Sequence, residues 1–155
     1  MAQNVTIPLW VRLANPLVIA LQRLGLVIGT MRLLSVPGRK TGRLRTTPVS
    51  PMVIDGTTYI CSVGSVGWVR NARAAGWGTL ARGRAVQRVA LVEVPADQRA
   101  GIVRRFPELV PHGVFVFVRL GIVQTPDPDG FAAAADRLAV FRADPLPGGV
   151  AGTRA

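Results

Sequence analysis

Residue types that do chemistry on their own are scarce in this chain. Its 155 residues include one cysteine, one histidine and one tyrosine, and Lys40 is the single lysine. A lone cysteine, Cys61, closes no internal disulfide, which excludes a disulfide framework and fits a reducing, cytosolic setting. Cysteine, histidine and acids never fall at metal-ligand spacing, so no metal is expected. His112 sits in a Pro-His-Gly turn without an acid nearby in sequence, which gives a Ser-His-Asp apparatus no support. The eight acids lie singly, and Asp97, Asp127 and Asp129 fall at helix starts, where they complement the dipole. Paired-carboxylate acid–base chemistry is therefore not expected. Aromatics make up 6% of the chain, few for stacking on bases, so nucleic acid is not an expected partner.

Acids are not only few but unevenly placed. Residues 1–92 carry eleven arginines and Lys40 against one acid, Asp55, whereas residues 93–155 carry seven arginines and seven acids. The whole net charge of +11 thus belongs to the first part of the chain. Such a bias suits a polyanionic small molecule or an anionic lipid surface. Four of these cations, Arg39, Lys40, Arg43 and Arg45, lie within seven positions of one another, close to Gly38 and Gly42. A glycine-flanked basic turn presents backbone N–H groups beside Lys and Arg, which suits phosphate or carboxylate. It is not a P-loop. That motif needs glycine immediately before the lysine, and Arg39 stands there.

Half of the residues are apolar, enough for one packed domain at this length. Residues 1–12 read as irregular. Asn15-Pro16 reads as a helix start, with Leu17, Leu21, Leu24 and Ile28 at helical spacing to about residue 30. Spanning a bilayer needs about 20 mostly apolar residues, and Gln22, Arg23 and two glycines interrupt this stretch. A helix packed on the domain is expected, with peripheral membrane contact on the cytoplasmic face as the alternative.

Strands follow, at Met31–Val36 and about Arg45–Ile54, with Pro51 marking an edge or a bulge. Asp55-Gly56 signals a hairpin into Thr57–Ser62. Ser62 to Gly67 loosens into a small-residue loop, and Trp68–Ala75 reads as a short helix with Gly76 as its C-cap. Gly78–Arg82 and Ala85–Val94 form two more strands, and Pro95-Ala96-Asp97 opens a helix to about Arg105. Residues 107–124 are ambiguous, with strand propensity at Val114–Val118. A helix from Asp127 through the alanines 132–135 and a last strand at Leu138–Phe141 complete the domain. The expected organisation is one domain over 1–143, with a flexible tail at 144–155. Short, mostly antiparallel strands with flanking helices point to a small barrel, mainly β in class.

The segments Leu33–Gly42, Arg45–Pro48, Asp55-Gly56 and Trp68–Gly76 together resemble the deazaflavin-dependent nitroreductase family, over about residues 12–143. That resemblance implies a split β-barrel binding coenzyme F-420, an 8-hydroxy-5-deazaflavin with an anionic phospholactyl-oligoglutamate tail; FMN is the alternative cofactor. It implies that Arg39, Lys40, Thr41 and Arg45 hold the phosphate and tail. Thr46, Thr47, Pro48 and Val49 would border the deazaflavin, Ser62, Val63 and Gly64 would meet the ring, and Trp68 and Asn71 would enclose it. Hydride transfer to a quinone or nitro compound is the implied activity, with Ser62 or water as proton donor. A non-catalytic carrier of the same cofactor is the alternative, and a homodimer is an expected assembly. Two departures bear on the acceptor. The loop Ser65-Val66-Gly67 is short, and Tyr59 is the only tyrosine, leaving Phe115, Phe117 or Phe131 to line the acceptor pocket.

Overall fold

A link of two residues shapes the whole sheet. Strands β1 (Arg32–Pro37), β2 (Leu44–Val49), β3 (Met52–Ile54), β4 (Thr57–Val63), β5 (Trp77–Arg82), β6 (Ala85–Glu93) and β7 (Leu138–Pro145) form one sheet. Its order is β2-β1-β5-β6-β7-β4-β3, antiparallel throughout. The two edges, β2 and β3, are consecutive in the chain and separated only by Ser50 and Pro51. Three Cα steps reach at most about 11 Å, whereas the edges of a flat seven-stranded sheet stand about 29 Å apart. The sheet must therefore curl until its edges meet, and the result is a split barrel. The expected single strand over 45–54 is two, because Pro51 has no N–H to give to a ladder.

The computed structural model describes residues 9–148. Between and around the strands lie α1 (Leu9–Arg23), α2 (Gly67–Ala75), α3 (Ala96–Val103), α4 (Phe106–Leu109), α5 (Pro111–Arg119) and α6 (Pro128–Ala133). The hairpin turn at Asp55-Gly56 has both residues at positive φ, 49° and 76°, as an Asp-Gly turn requires.

Alternation of side chains gives the curled sheet two cores. Inside the barrel, Leu34, Val36, Val49, Ile60, Val89, Leu91 and Phe141 pack together, and Val69 and Ala72 of α2 close one end. On the outer face, Val63, Leu138 and Val140 meet the helical layer, where Phe106, Phe117 and Phe131 stack with centroids 5.0–5.6 Å apart.

Four expectations change here. Helix α1 begins at Leu9 rather than at Asn15 and runs through Pro16. It ends at Arg23 instead of near residue 30, because Gly25 takes a left-handed φ of 92° and stops it. Val114–Val118 is helix, not strand. Helical spacing turns Phe117 onto Phe106 and Phe131, and Gly113 yields to the Phe106 ring, whose Cζ would stand 2.9 Å from a Cβ. Packing here overrides β propensity. Finally, Asp144 and Pro145 pair with Ala90 and Val89 in β7, so the last strand takes in the start of the expected tail. Residues 149–155 of that tail, and most of the irregular stretch expected over 1–12, lie outside the described residues.

Gly78 lets β1 and β5 approach at the barrel wall. A Cβ there would stand 2.7 Å from the Ser35 carbonyl oxygen and 3.3 Å from Val36 and Leu91 side chains. Gly78→Ala is expected to cost about 1–3 kcal/mol, the range for overpacking, and to lower the thermal midpoint; an unchanged melt would contradict this packing.

Candidate functional site

The basic turn and the start of α2 face one another across a shared cavity. Pro37 ends β1 and Leu44 begins β2, so residues 38–43 form the connecting turn. Gly38 N–H donates to the Arg43 carbonyl at 2.9 Å, and Gly42 N–H donates to the Gly38 carbonyl at 2.7 Å. Gly42 takes a positive φ of 68°, which a side chain would resist. The Thr41 hydroxyl accepts from the Arg43 N–H at 3.4 Å. Arg39, Lys40, Thr41, Arg43 and Arg45 all remain exposed.

Asn71 ties this turn to α2. Its side chain is buried, and Oδ1 accepts from both the main-chain N–H and the guanidinium of Arg39, each at 3.3 Å. Gly38, Arg39, Lys40, Thr41, Arg45, Gly67 and Asn71 line a cavity of about 300 Å³. The N-terminus of α2 adds a contribution that sequence reading missed. Val66 at the N-cap makes no side-chain capping bond, so the first N–H groups of α2 lack a capping acceptor, and Gly67 lies on the cavity wall. Such a terminus attracts anions. The signal was legible in principle, since Ser65-Val66-Gly67 puts no good capping residue directly before the helix.

Charge around the cavity is uncompensated. Of the twelve cations in residues 1–92, only Arg73 pairs with an acid among the described residues. Its partner, Glu93, also holds Arg99, and Arg73 reaches the Gly64 carbonyl at 3.3 Å. This clamp pins the last turn of α2 to β6 and to the end of β4.

The other residues named from sequence are placed differently. Thr46, Thr47, Pro48, Val49, Ser62, Val63, Gly64 and Trp68 do not line the 300 Å³ cavity. The Thr46 hydroxyl shares a 2.7 Å hydrogen bond with that of Ser35. Val49 belongs to the barrel core, and the Trp68 ring packs on Phe141 at 5.5 Å. Val63 is buried under the helical layer. Ser62 pairs with Ala139 on β7, and Gly64 N–H donates to the Arg137 carbonyl at 3.3 Å. Phe117 and Phe131 are buried in the outer core, while Phe115 is exposed on α5. Cys61 is chemically quiet, since desolvation, offset in part by Arg99, pushes its thiol up to about 12. His112 meets the hydroxyls of Ser50 at 3.3 Å and Thr30 at 3.5 Å. No group of three metal-ligating side chains occurs among the described residues.

Comparison with known proteins comes to the same fold and adds a family. A family model described as F420H(2)-dependent quinone reductase matches residues 20–114, which contain the turn, Asn71 and α2. A search of curated proteins finds no relative. Among solved structures, the protein Atu2129 from Agrobacterium tumefaciens, of unknown function, aligns with a TM-score of 0.56 at 15% identity. The alignment covers 92% of this chain and 58% of that one, so this chain spans little more than half its length. A structure described as a domain-swapped dimer aligns at 0.56 and 18% identity, covering 87% of this chain and 97% of that one. An F420-H2 dependent reductase, FDR-A, aligns at 0.52 and 19% identity, covering 77% and 98%. These likenesses establish the split-barrel fold.

The Glu93 clamp yields a pH prediction. The hydrogen bond from Arg73 holds its carboxyl below the ordinary 4.5, against desolvation and with help from the charges of Arg73 and Arg99. A depressed carboxylate stabilises the fold above its ordinary value, and that contribution disappears as pH falls through the lower folded value. Glu93→Gln is expected to cost about 1 kcal/mol at neutral pH, with the difference in thermal midpoint shrinking below about pH 4. A difference independent of pH would contradict the clamp.

Proposed function

The chain belongs to the F420H(2)-dependent quinone reductase family, and from that premise we propose that it reduces a quinone-type acceptor with a coenzyme F-420 whose anionic tail lies in the cavity beside the basic turn. Membership makes it an enzyme whose cofactor is coenzyme F-420. The residues at the turn suit that cofactor's anionic tail: Arg39, Lys40 and Arg45 have no acid partner among the described residues, and the uncapped start of α2 faces them. This uncompensated group of donors around one cavity is the observation that carries the reading. Lys40 would act as a mobile point charge, while the arginines offer planar, bidentate donors to phosphate and carboxylate oxygens. Asn71 would hold the Arg39 backbone in place, so that the turn is set before the ligand arrives.

Reduced coenzyme F-420, when bound, supplies a hydride. The chain's own part is to bind and orient. Thr46 to Val49, Ser62 to Gly64 and Trp68 remain the residues we assign to the ring. A proton for the reduced acceptor would come from the Ser62 hydroxyl or from water. Quinone reduction is favoured over nitro reduction by the family match and by the absence of tyrosine near the C-terminus.

Two assemblies extend this reading. A homodimer is proposed, the described domain-swapped dimer of the same fold being its support. Contact with an anionic membrane is supported by the N-terminal surface. Leu9, Trp10, Leu13 and Leu17 of α1, and Leu24, Leu26, Val27 and Ile28 beyond it, are exposed. Arg12 and Arg23 stand among them, and no acid precedes Asp55. None of the described helices is long and apolar enough to cross a bilayer, so the contact would be interfacial.

Purified protein is expected to quench the fluorescence of coenzyme F-420 saturably, and Lys40→Ala to weaken that binding about tenfold, the loss of one charged hydrogen bond. Absence of binding at low salt would overturn the assignment, while binding without oxidation by any quinone would make the protein a carrier. In a separate assay, the chain is expected to sediment with phosphatidylglycerol vesicles and less with neutral phosphatidylcholine. Leu13→Glu with Leu17→Glu should abolish this; equal sedimentation of the double variant would rule out α1 as the contact.

A further inference from the structure

Helix α2 closes one end of the barrel, and the other end is open. There β1 begins and β5 ends. Leu33 pairs with Ala81, and the same register carried one step further sets Arg32 opposite Arg82. Like charges on directly opposed residues repel. Burial, and then the charge of Arg82, lowers the proton affinity of the Arg32 guanidinium. No acid pairs with either arginine among the described residues. The polar partners of Arg32 are two backbone carbonyls, those of Thr30 and Met31, each at a long 3.4 Å.

Behind this pair lies a cavity of about 430 Å³, within the range of small-molecule sites. Much of its wall is apolar, with Leu80, Val89 and Ala143 from the sheet, Met52 from β3 and Leu109 from α4, while Thr30 and Thr58 add hydroxyls. Gln87 also lies on the wall, but its amide nitrogen donates to the carbonyls of Arg88 and Leu146. The open end is thus a largely apolar sleeve with two cations at its rim and, among the described residues, no acid paired with them. It shares no residue with the cavity at the basic turn. Arg32 and Pro37 stand at opposite ends of β1, about 17 Å apart.

We infer that the open end of the barrel is a second ligand site, which takes a small amphipathic carboxylate. The carboxylate would lie between Arg32 and Arg82 and relieve their repulsion, and the apolar body would fill the sleeve. Two guanidinium groups offer paired N–H donors to a carboxylate's oxygens, which a neutral head group cannot match. The wall removes the hydrocarbon from water, so acetate forfeits the hydrophobic contribution and an alcohol forfeits the charged one. The site uses no residue assigned to coenzyme F-420 and stands apart from that assignment.

Calorimetric titration of the full chain with decanoate, decanol and acetate, with and without coenzyme F-420, tests this. Decanoate is expected to bind at one equivalent in both conditions, with decanol and acetate at least tenfold weaker. Arg32→Gln with Arg82→Gln should weaken decanoate at least tenfold, Leu80→Trp should block it by filling the sleeve, and Lys40→Ala should leave it unchanged. Decanol binding as well as decanoate would place the probe on the exposed apolar surface of α1 and overturn the inference. So would competition with coenzyme F-420, failure of decanoate to bind, or indifference to the arginine pair in a variant whose circular dichroism is native. The unmodified protein alone, through the three probes and the competition, decides the matter if a variant does not fold.

Discussion

Closure of the sheet through Ser50 and Pro51 is the constraint on which the rest depends. Two edge strands joined by two residues cannot lie at opposite sides of a flat sheet, so the curl is imposed by chain connectivity. The curl gives the sheet an inside and an outside, and each becomes a separate hydrophobic core. It also gives the barrel two ends. One receives α2 and, beside it, the basic turn; the other stays open behind Arg32 and Arg82. Both proposed ligand sites are therefore consequences of one short link.

The distribution of charge then decides what those ends attract. Three of the seven acids in the second part pair with arginines of that same part: Glu108 with Arg105, Asp144 with Arg142, Asp129 with Arg104. Asp127 caps α6 through the Gly130 N–H at 2.7 Å. Only Glu93 reaches back to the basic part, and it takes Arg73, on the side of α2 away from the turn cavity's lining. Cations at the turn, at the open end and along α1 are left to solvent or to ligands. Surface pairs of this kind add little stability individually, and among the described residues none of them involves a cation of the turn, the open end or α1.

Local signals were read well where one or two residues control the backbone. Asp55-Gly56 makes its hairpin, Gly76 ends α2 in a left-handed cap, and the glycines around Lys40 form the turn. Asp127 takes the cap position at α6. The family resemblance, carried by the turn together with Trp68 and Asn71, agrees with the matched family in its cofactor and in the split barrel. Readings failed where distant packing competes with local preference. Val114–Val118 favours a strand by composition, yet three phenylalanines from separate helices need Phe117 at helical spacing. Helix α1 was misplaced because Pro16 was read as a start, although the chain stays helical on both sides of it.

The sequence by itself determined the basic turn, the hairpins, the uneven charge and the kinship they reveal, because these reside in neighbouring residues or in composition. Tertiary structure alone decided which residues share a cavity. Asn71 lies 32 positions from Arg39 and becomes its hydrogen-bond partner only when α2 plugs the barrel. Arg32 and Arg82 become neighbours only when β1 and β5 align in register. Such pairings depend on strand order and register, which are set by the burial of both faces of the curled sheet rather than by any local run of residues.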